Sequence, residues 1–276
     1  MTERTAAPAV SVVIPCHGQA RYLDEAVGSV IDQTYRDWEI VIVDDGSPDD
    51  TATVAEGLIA GHPDRRIRLL RQANQGTPGA RNAGIAASSG RYVLPLDADD
   101  ILLPEMLART VGLLEAEPEL AIAYTDYGRF GSESGDVATG PWSIAALSYS
   151  CPLSSTTLYR REVWRAVGGY NTNMAHGYED WDFWIGAAER GFVGRRIAIP
   201  LWLYRKAPSS RNVRALSREP EILEQIRRNH PAVFTPRRRF ANAVRRQMDL
   251  FPGRARYWAS WLRRRLAGGR PRGAAR

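Results

Sequence analysis

The sequence predicts an α/β fold in which one mostly parallel sheet is flanked by helices on both sides. Over the N-terminal third, short apolar runs rich in β-branched residues alternate with stretches that place apolar residues at helical spacing. The apolar runs are nearly continuous, which is typical of strands that a parallel sheet buries on both faces. The chain has 276 residues, of which 44% are hydrophobic, so it is long enough to form a large core.

Strands and helices are predicted in strict alternation over this region. We predict strands at residues 10–14, 38–43, 67–70 and 92–96, and helices at residues 20–33, 49–60 and 77–87. The first helix carries its apolar residues on one face, namely Leu23, Ala26, Val27, Val30 and Ile31. This order favours an open sheet, and ligands of such sheets bind at the carboxyl ends of the strands.

The pattern is less regular in the second part of the chain. We predict strands at residues 121–124, 154–159 and 193–199, with a loop or hairpin at residues 128–140. A short helix is predicted at residues 161–167 and a longer one at residues 179–190, before Gly191.

The sequence lacks the features of a membrane-spanning, secreted or disulfide-bonded protein. No apolar run approaches the roughly 20 residues that cross a bilayer, and the N-terminus lacks the segments of a secretory signal. Cys16 and Cys151 form neither a disulfide framework nor a closely spaced metal clamp. We therefore expect a cytoplasmic protein with two inert thiols in or near the core.

Charge is distributed unevenly along the chain. Residues 237–276 hold thirteen arginines and one acid and carry +12, so residues 1–236 carry −6 of the total of +6. One helical face of this tail is apolar, with Trp258, Trp261, Leu262 and Leu266. The pattern is typical of a basic amphipathic helix on an anionic membrane. The alternative is a helix that packs on the acidic body, followed by a disordered end.

Polar loops follow three of the predicted strands at their carboxyl ends. They are Pro15-Cys16-His17-Gly18, Asp44-Asp45-Gly46-Ser47 and Asp97-Ala98-Asp99-Asp100. Because parallel strands end at the same edge of a sheet, we expect these loops to converge on one ligand.

The acids at 97–100 suit a divalent cation. Oxygen ligands favour Mg²⁺ or Mn²⁺, and Mg²⁺ is often held by one or two carboxylates together with water and substrate phosphate. A cation bridging a diphosphate would stabilise the negative charge of a departing nucleotide. The alternative is an N-cap and surface turn before the helix that Pro104 opens.

Two further segments are candidates for binding a nucleotide. In residues 44–50, Asp49 or Asp50 is expected to cap the next helix, while a neighbouring carboxylate accepts hydrogen bonds from a base or ribose. In residues 74–84, backbone amides and Arg81 form a candidate anion site at a helix N-terminus. No Walker sequence is present and no Gly-X-Gly-X-X-Gly follows the first strand, which disfavours kinase-like and dehydrogenase functions.

Glu179 and Asp180 begin a predicted helix whose aromatic residues are expected to form core or pocket wall. One interpretation is a charged first turn, which the helix dipole favours. The other is that one of the two acids is a general base that takes a proton from an incoming hydroxyl group.

Together, six stretches resemble the family 2 glycosyltransferases of the GT-A fold. In chain order they are VSVVIP, QTYRDWEIVIVDDGSPDDT, NQGTPGARNAGI, GRYVLPLDADDILLPEML, REVWRAVGGY and GYEDWDFWIGAAERGF. The resemblance implies a single Rossmann-like sheet, a nucleotide-sugar donor (usually a UDP-sugar) and Mn²⁺ or Mg²⁺. It also implies an inverting reaction, in which the acceptor attacks the anomeric carbon from the face opposite the diphosphate.

The resemblance implies roles for individual residues in binding the donor. The nucleotide contacts would come from Pro15, His17, Asp44, Asp45, Arg81, Asp97 and Asp99. Asp45 resembles the acid that binds the base, and His17 stands where the family often has an aromatic residue stacked on it. Asp97 resembles the acid on the ribose side, and Asp99 resembles the metal ligand.

The resemblance places the catalytic base at Asp180, with Glu179 holding the acceptor or the donor sugar. The chain departs from the family pattern at His17-Gly18, where relatives often have Tyr-Asn. It departs again at Ala207, where many relatives have a histidine near the diphosphate. Either the metal then relies on Asp99, phosphates and water, or this loop aligns differently.

Three regions are predicted along the chain. They are a flexible N-terminus at residues 1–8, a GT-A domain at residues 9–207 and a basic, mostly helical C-terminal extension at residues 208–276. The domain would divide into a nucleotide-binding half at 9–100 and an acceptor and catalytic half at 101–207. The expected acceptor is a glycan, a lipid-linked saccharide or a small molecule, and the extension would hold the protein at the inner face of the cell membrane.

Two other functions compete with this one. A nucleotidyltransferase of similar fold, which makes nucleotide-sugars, would need a Gly-rich, basic loop where residues 15–18 stand. A non-catalytic sugar-binding or membrane-binding module would not need both the acid pair at 179–180 and a metal site. No nucleic acid is expected as a partner, because the chain has one lysine and no recognisable nucleic-acid-binding module.

Overall fold

The computed structural model describes residues 7–207, 215–235 and 241–242. Its first four strands are β1 (Val10–Cys16), β2 (Trp38–Asp45), β3 (Ile67–Gln72) and β4 (Tyr92–Pro95). They run parallel in the order β3-β2-β1-β4. All four strands predicted for this region are confirmed.

Three helices connect these strands, as predicted. They are α1 (Ala20–Ile31), α2 (Thr51–Gly61) and α3 (Gly76–Ala87). Val12 and Ile14 of β1 lie in the same core cluster as buried residues of α1 and α2, whereas Val13 lies in the cluster that contains α3. The strand is therefore buried on both faces, which explains its continuous apolar sequence.

Within the described residues, the second part of the chain completes a mixed sheet of nine strands. Its elements are β5 (Ile101–Leu102), α4 (Met106–Ala116), β6 (Leu120–Gly131), β7 (Gly135–Val137), α5 (Ile144–Leu147), β8 (Leu158–Arg160), α6 (Arg161–Val167), α7 (Glu179–Glu189) and β9 (Val193–Lys206). The order continues from β4 through β8, β6 and β9 to β5, and β7 pairs with β6. The sheet is parallel from β1 to β4, but β8 is antiparallel to both of its neighbours.

Several predicted boundaries in this part differ from the structure. The strand predicted at 121–124 extends to Gly131 and the one predicted at 193–199 extends to Lys206, because β6 and β9 pair along their length. The hairpin predicted at 128–140 is present, but its first residues belong to β6. Residues 154–157, predicted as strand, are not in a strand.

A further helix, α8 (Glu219–Asn229), lies within the predicted C-terminal extension. Ile222, Ile226 and Val233 are buried in the core cluster that contains α7. The amphipathic tail predicted around Trp258 lies outside the described residues. Across the described part of the chain, no helix combines the length and the apolar character that crossing a membrane requires.

Helix α3 lies very close to the sheet at Gly84. A Cβ atom at Gly84 would lie 2.4 Å from Cγ1 of Val13 and 2.8 Å from Cγ2 of Val43. Both distances are shorter than two carbon atoms allow, so only glycine fits. The same helix carries Arg81 one turn earlier, and the close approach sets the depth at which Arg81 enters the structure.

We predict that Gly84→Ala lowers the free energy of unfolding by roughly 1–3 kcal/mol, because overpacking outweighs a gain in helix propensity of about 1 kcal/mol. Gly112→Ala is the matched control, since Gly112 is an exposed residue of α4 with nothing within 4 Å of an added Cβ. It should stabilise the protein by up to roughly 1 kcal/mol. Urea unfolding measures both effects, and changes of the same sign would contradict the packing at Gly84.

Candidate active site

A cavity of about 520 Å³ opens at the carboxyl ends of β1, β2 and β4. Residues at the start of α7 and at the end of β9 also line it. The predicted convergence of the polar loops follows from parallel pairing, because β1, β2 and β4 all end at this edge.

The lining of the cavity is rich in acids. Six acidic side chains and four permanently basic ones line it, namely Asp45, Asp97, Asp99, Asp100, Glu179 and Asp180 with Arg21, Arg81, Arg129 and Lys206. The lining is therefore net negative, which favours a ligand that brings a cation with it.

Asp45 is held at the end of β2 and forms one corner of the cavity. Its Oδ1 accepts hydrogen bonds from Nε2 of Gln72 at 2.7 Å and from the amide of Gln75 at 2.8 Å. Its carbonyl oxygen accepts one from Nδ1 of His17 at 2.9 Å, and Nδ2 of Asn74 lies 3.2 Å from Nε2 of the same ring. The exposed imidazole is thereby fixed beside the acid, where a flat base can stack on it.

The neighbouring predicted residues, Pro15 and Asp44, are placed differently from each other. Pro15 lines the cavity, whereas Asp44 does not. Oδ1 of Asp44 accepts a hydrogen bond from the amide of Ser47 at 2.9 Å, and Oδ2 lies 3.7 Å from Nε of Arg71. Successive strand residues point to opposite faces, so Asp44 closes the turn after β2 while Asp45 faces the cavity.

Arg81 is buried between two acids that come from different parts of the chain. Its Nη1 donates to Oε1 of Glu179 at 2.7 Å, and its Nη2 donates to Oδ1 of Asp97 at 2.6 Å. The guanidinium carbon lies 5.4 Å from the ring centroid of Tyr170. Although burial disfavours the charged form, Asp97 and Glu179 raise the pKa of Arg81. Both terminal nitrogens of the predicted anion ligand are therefore bound to carboxylates of the protein.

Asp97, Asp99 and Asp100 form a turn after β4 and line the cavity together. Burial and the neighbouring Asp97 raise the pKa of Asp99 to about 6, while a backbone hydrogen bond and the charge of Arg205 oppose the shift. Burial, with Asp97 and Asp99, also raises the pKa of Asp100. Crowded carboxylates of this kind are stabilised when a cation binds among them.

Asp99 fits a sparse site for Mn²⁺ or Mg²⁺, since its carboxylate lines the cavity and is destabilised by burial beside another acid. Within residues 7–207, 215–235 and 241–242, no group of three or more His, Cys, Asp or Glu side chains is placed to hold a metal ion. An ion at Asp99 would therefore draw its other ligands from substrate and water, which Mg²⁺ commonly does.

The turn that carries these acids is fixed by Arg205 of β9, which the sequence did not indicate as a site residue. Its amide donates to Oδ1 of Asp100 and its Nε donates to the carbonyl oxygen of Asp99, both at 2.9 Å. The guanidinium lies 4.3 Å from the ring centroids of both Tyr22 and Phe130. The sequence signalled this contact only indirectly, because the departure from the family pattern at Ala207 lies two residues after Arg205.

Glu179 and Asp180 begin α7, directly after Tyr178, whose φ of 60° is left-handed. Oδ1 of Asp180 accepts a hydrogen bond from the amide of Trp181 at 2.8 Å. Burial and the adjacent Glu179 raise the pKa of Asp180 to about 6, while Arg81 opposes the shift. A carboxyl group with such a pKa is suited to take a proton near neutral pH.

Helix α8 braces α7 through a buried histidine. Nδ1 of His230 lies 2.7 Å from Oε2 of Glu189, and Nε2 lies 3.2 Å from Oδ1 of Asp182. Asn229 also donates to Oδ1 of Asp182 at 2.6 Å. Although burial favours the neutral ring, Asp182 and Glu189 raise the pKa of His230. The sequence did not indicate this support, because its parts lie on two helices separated by β9.

The structure brings eight of the nine predicted site residues to this one cavity, namely Pro15, His17, Asp45, Arg81, Asp97, Asp99, Glu179 and Asp180. An aromatic wall that the sequence did not indicate completes it. Tyr127 of β6 stacks on Trp202 of β9 with ring centroids 4.7 Å apart, and Tyr204 lies edge-on to both. These rings meet only because β6 pairs with β9.

The sequence is similar to those of glycosyltransferases. The family model described as Glycosyl transferase family 2 matches residues 11–164. An uncharacterized glycosyltransferase of Nostoc sp. is 44% identical over 115 residues, which cover 42% of this chain and 35% of that protein. The chondroitin synthase of Escherichia coli is 29% identical over 188 residues, which cover 67% of this chain and 27% of that protein. The chain thus spans only about a third of the length of these relatives, or less.

The fold is similar to those of solved structures that include a TarS fragment and a mannosyltransferase. A TarS fragment from S. aureus in complex with UDP has a TM-score of 0.65 at 16% identity, covering 85% of this chain and 68% of that chain. The mannosyltransferase PcManGT from Pyrobaculum calidifontis, in complex with GDP-Man and Mn²⁺, has a TM-score of 0.57 at 19% identity, covering 95% and 81%. These likenesses confirm the predicted GT-A fold.

We predict that Arg81→Met lowers the free energy of unfolding by roughly 3–5 kcal/mol, because it removes the buried charge that pairs with the carboxylates of Glu179 and Asp97. Arg109→Met is the control: Arg109 of α4 forms an exposed pair with Glu105, the residue before that helix, at 3.0 Å. Loss of an exposed pair should cost less than about 1 kcal/mol. Denaturant unfolding compares the two variants, and similar costs would show that the buried pair is not a structural link.

Proposed function

The chain belongs to glycosyl transferase family 2, and from this premise we propose that it transfers a sugar from a nucleotide-sugar to a hydroxyl group of an acceptor. The observation that carries the proposal is that Asp45 at the end of β2, Asp99 in the turn after β4 and Asp180 at the start of α7 line one cavity. A binding module would have no need for a carboxyl group with a raised pKa next to a candidate cation site. The cavity, at about 520 Å³, has the size of a small-molecule site.

The donor is proposed to be a UDP-sugar. The corner formed by Asp45 and the exposed ring of His17 offers a hydrogen-bond acceptor beside a stacking surface, which suits a nucleobase. The TarS structures with UDP and UDP-GlcNAc support this choice, whereas the GDP-Man complex of PcManGT keeps guanine nucleotides as the competing donors to test.

Asp99 is proposed to hold Mn²⁺ or Mg²⁺ together with the diphosphate of the donor. When bound, the cation would supply positive charge against the diphosphate as it departs. Asp97 is proposed to serve the ribose side while it remains bound to Arg81. The Mn²⁺ in the PcManGT complex supports the choice of metal.

Asp180 is proposed as the general base of a single displacement. The acceptor oxygen gives its proton to the carboxylate of Asp180 and forms a bond to the anomeric carbon, while the bond from that carbon to the diphosphate oxygen breaks. The nucleoside diphosphate leaves with the electron pair, so the configuration at the anomeric carbon inverts. Glu179, held by Arg81, is proposed to position the base and the bound sugar.

The domain limits predicted above are proposed to apply, with donor binding at residues 9–100 and acceptor binding at 101–207. A glycan, a lipid-linked saccharide or a small molecule would be the acceptor. Attachment to an anionic membrane through the C-terminal arginines stays a prediction, because those residues lie outside the part of the chain that the structure describes.

The proposal is tested with a panel of UDP-sugars and GDP-sugars in the presence of Mn²⁺, measuring release of the nucleoside diphosphate. With the donor that reacts, Asp180→Asn should lower kcat by about 10²- to 10⁴-fold, the usual contribution of a general base. The Kd for UDP, measured by calorimetry, should stay within about threefold. Glu162→Gln, at an exposed acid in the first turn of α6, is the control and should leave both quantities unchanged.

The pH dependence of the same reaction gives a second test. The base works only when deprotonated, and burial beside Glu179 raises the pKa of Asp180 to about 6. The rate should therefore fall as the pH drops through about 6 and level off above about 7. A rate that is constant between pH 5 and 8, or an Asp180→Asn variant with full activity, would rule out this base.

Asp99→Asn tests the cation site separately from the base. The variant should raise the Kd for UDP in the presence of Mn²⁺ by at least about tenfold and should remove most of the difference between binding with Mn²⁺ and binding with EDTA. Asp136→Asn, at an exposed acid of β7, should keep that difference. If Asp99→Asn binds UDP and Mn²⁺ like the unmodified protein, the metal is held elsewhere.

A further inference from the structure

A second cavity, of about 290 Å³, adjoins the first. We call it the annex and define it by three segments: residues 137–141, residues 150–154 and Ala146 of α5, with Tyr127 at its border. Tyr127 and Ser154 line both cavities. A molecule in the annex can therefore extend directly into the acid-lined cavity.

The annex is uncharged, in contrast to the acid-rich cavity beside it. None of the described residues that line it is an acid, a lysine, an arginine or a histidine. Six of its side chains are hydrocarbon only, namely Val137, Ala138, Pro141, Ala146, Pro152 and Leu153. Burial raises the pKa of both Cys151 and Tyr127, so these two groups stay neutral as well.

Two polar groups of the annex are already used within the protein. Oγ1 of Thr139 donates to Oδ1 of Asp126 at 2.9 Å, and Sγ of Cys151 donates to the carbonyl oxygen of Leu153 at 2.8 Å. These two groups therefore have no hydrogen left to donate to water in the annex. An apolar group displaces such weakly held water at little cost.

The walls of the annex are fixed before any ligand binds. Asp126 accepts hydrogen bonds from the amide of Thr139 and from two nitrogens of Arg196, all at 2.9 Å or less. The amide of Gly140 donates to the carbonyl oxygen of Pro152 at 2.9 Å, and a Cβ at Gly140 would lie 2.8 Å from Cβ of Pro152. The two segments touch there, so the annex is a short recess and does not continue as a long channel along this contact.

The annex is also within electrostatic reach of the acid pair on α7. After burial, the charge of Asp180 contributes most to raising the pKa of Cys151, and Glu179 adds to it. Trp181, the residue after the acid pair, donates from Nε1 to the carbonyl oxygen of Leu147 in α5 at 2.7 Å. The helix that presents Asp180 and the helix that lines the annex are thereby joined.

From these contacts we infer that the annex binds a compact, uncharged hydrocarbon group, such as an aryl ring, carried by the acceptor next to the hydroxyl that reacts. The inference rests on the proposed function and names the acceptor class for it. An apolar cavity of about 150 Å³ already accommodates benzene, so the annex has room for a substituted ring. The short recess fits a ring better than a long alkyl chain.

The experiment compares acceptors that share a sugar and differ in the attached group. With the donor identified above, methyl, phenyl and octyl glycosides of glucose, galactose, mannose and N-acetylglucosamine are assayed as acceptors. For the sugar that reacts, kcat/KM should be at least about tenfold higher for the phenyl than for the methyl glycoside, as expected when an apolar group fills a pocket. The phenyl glycoside should also exceed the octyl glycoside.

Variants that fill the annex should remove this preference. Val137→Trp places a large ring at the edge of the recess, and Ala146→Leu adds a smaller group from α5 in case the larger change impairs folding. In both, the ratio of phenyl to methyl should fall towards one through the KM of the phenyl glycoside. Val193→Trp makes the same exchange at a residue that is 46% exposed and lines neither cavity, and it should keep the preference.

The outcomes separate this inference from the function on which it depends. If no nucleotide-sugar is turned over and UDP does not bind, the proposed function fails. If the donor is turned over but the phenyl and methyl glycosides react equally, or if the octyl glycoside is preferred, only the assignment of the annex is overturned. An increase in the KM of the donor in the filled variants would place the donor sugar in the annex and would also overturn it.

Discussion

The buried contact of Arg81 with Asp97 and Glu179 is the interaction on which the rest of the site depends. It joins α3 to the turn after β4 and to the start of α7, and one of its partners lies 98 residues further along the chain. Burying a guanidinium costs free energy, and here two carboxylates offset that cost by accepting well-formed hydrogen bonds from it. The positions of the donor acids and of the proposed base are therefore coupled through one side chain.

The remaining acids create a site that is incomplete without positive charge. Asp99 and Asp180 both have pKa values raised to about 6, in each case first by burial and then by a neighbouring carboxyl group. At Asp99, a bound cation would relieve this repulsion and favour the ionised form. At Asp180, the raised value serves the proposed proton transfer, so the same physical cause has different consequences at the two ends of the cavity.

Support for the acid pair extends beyond the region that the family model covers. That region ends at residue 164, whereas Glu179 and Asp180 lie on α7. Tyr178, in a left-handed conformation just before them, donates a hydrogen bond from its hydroxyl group to Glu219 of α8 at 3.3 Å. His230 contacts both ends of α7, through Asp182 in the first turn and Glu189 at the last residue. Non-glycine residues keep such a backbone only where the surroundings hold it, and α8 supplies part of that restraint.

The sequence by itself determined the alternating first part of the fold, the edge at which the polar loops converge and eight of the residues that line the cavity. These follow from local periodicity and from the rule that parallel strands end at the same edge of a sheet. Both can be applied to one strand and the loop after it at a time. Only the tertiary structure decided that Asp44 turns away while Asp45 faces the cavity, that Arg81 is bound by two acids, and that Arg205, Tyr127 and Trp202 complete the site. Each of these depends on which face of its strand or helix a side chain lies on, or on the packing of β6, β9 and α8 against distant segments. No local sequence pattern encodes contacts between segments that are far apart in the chain.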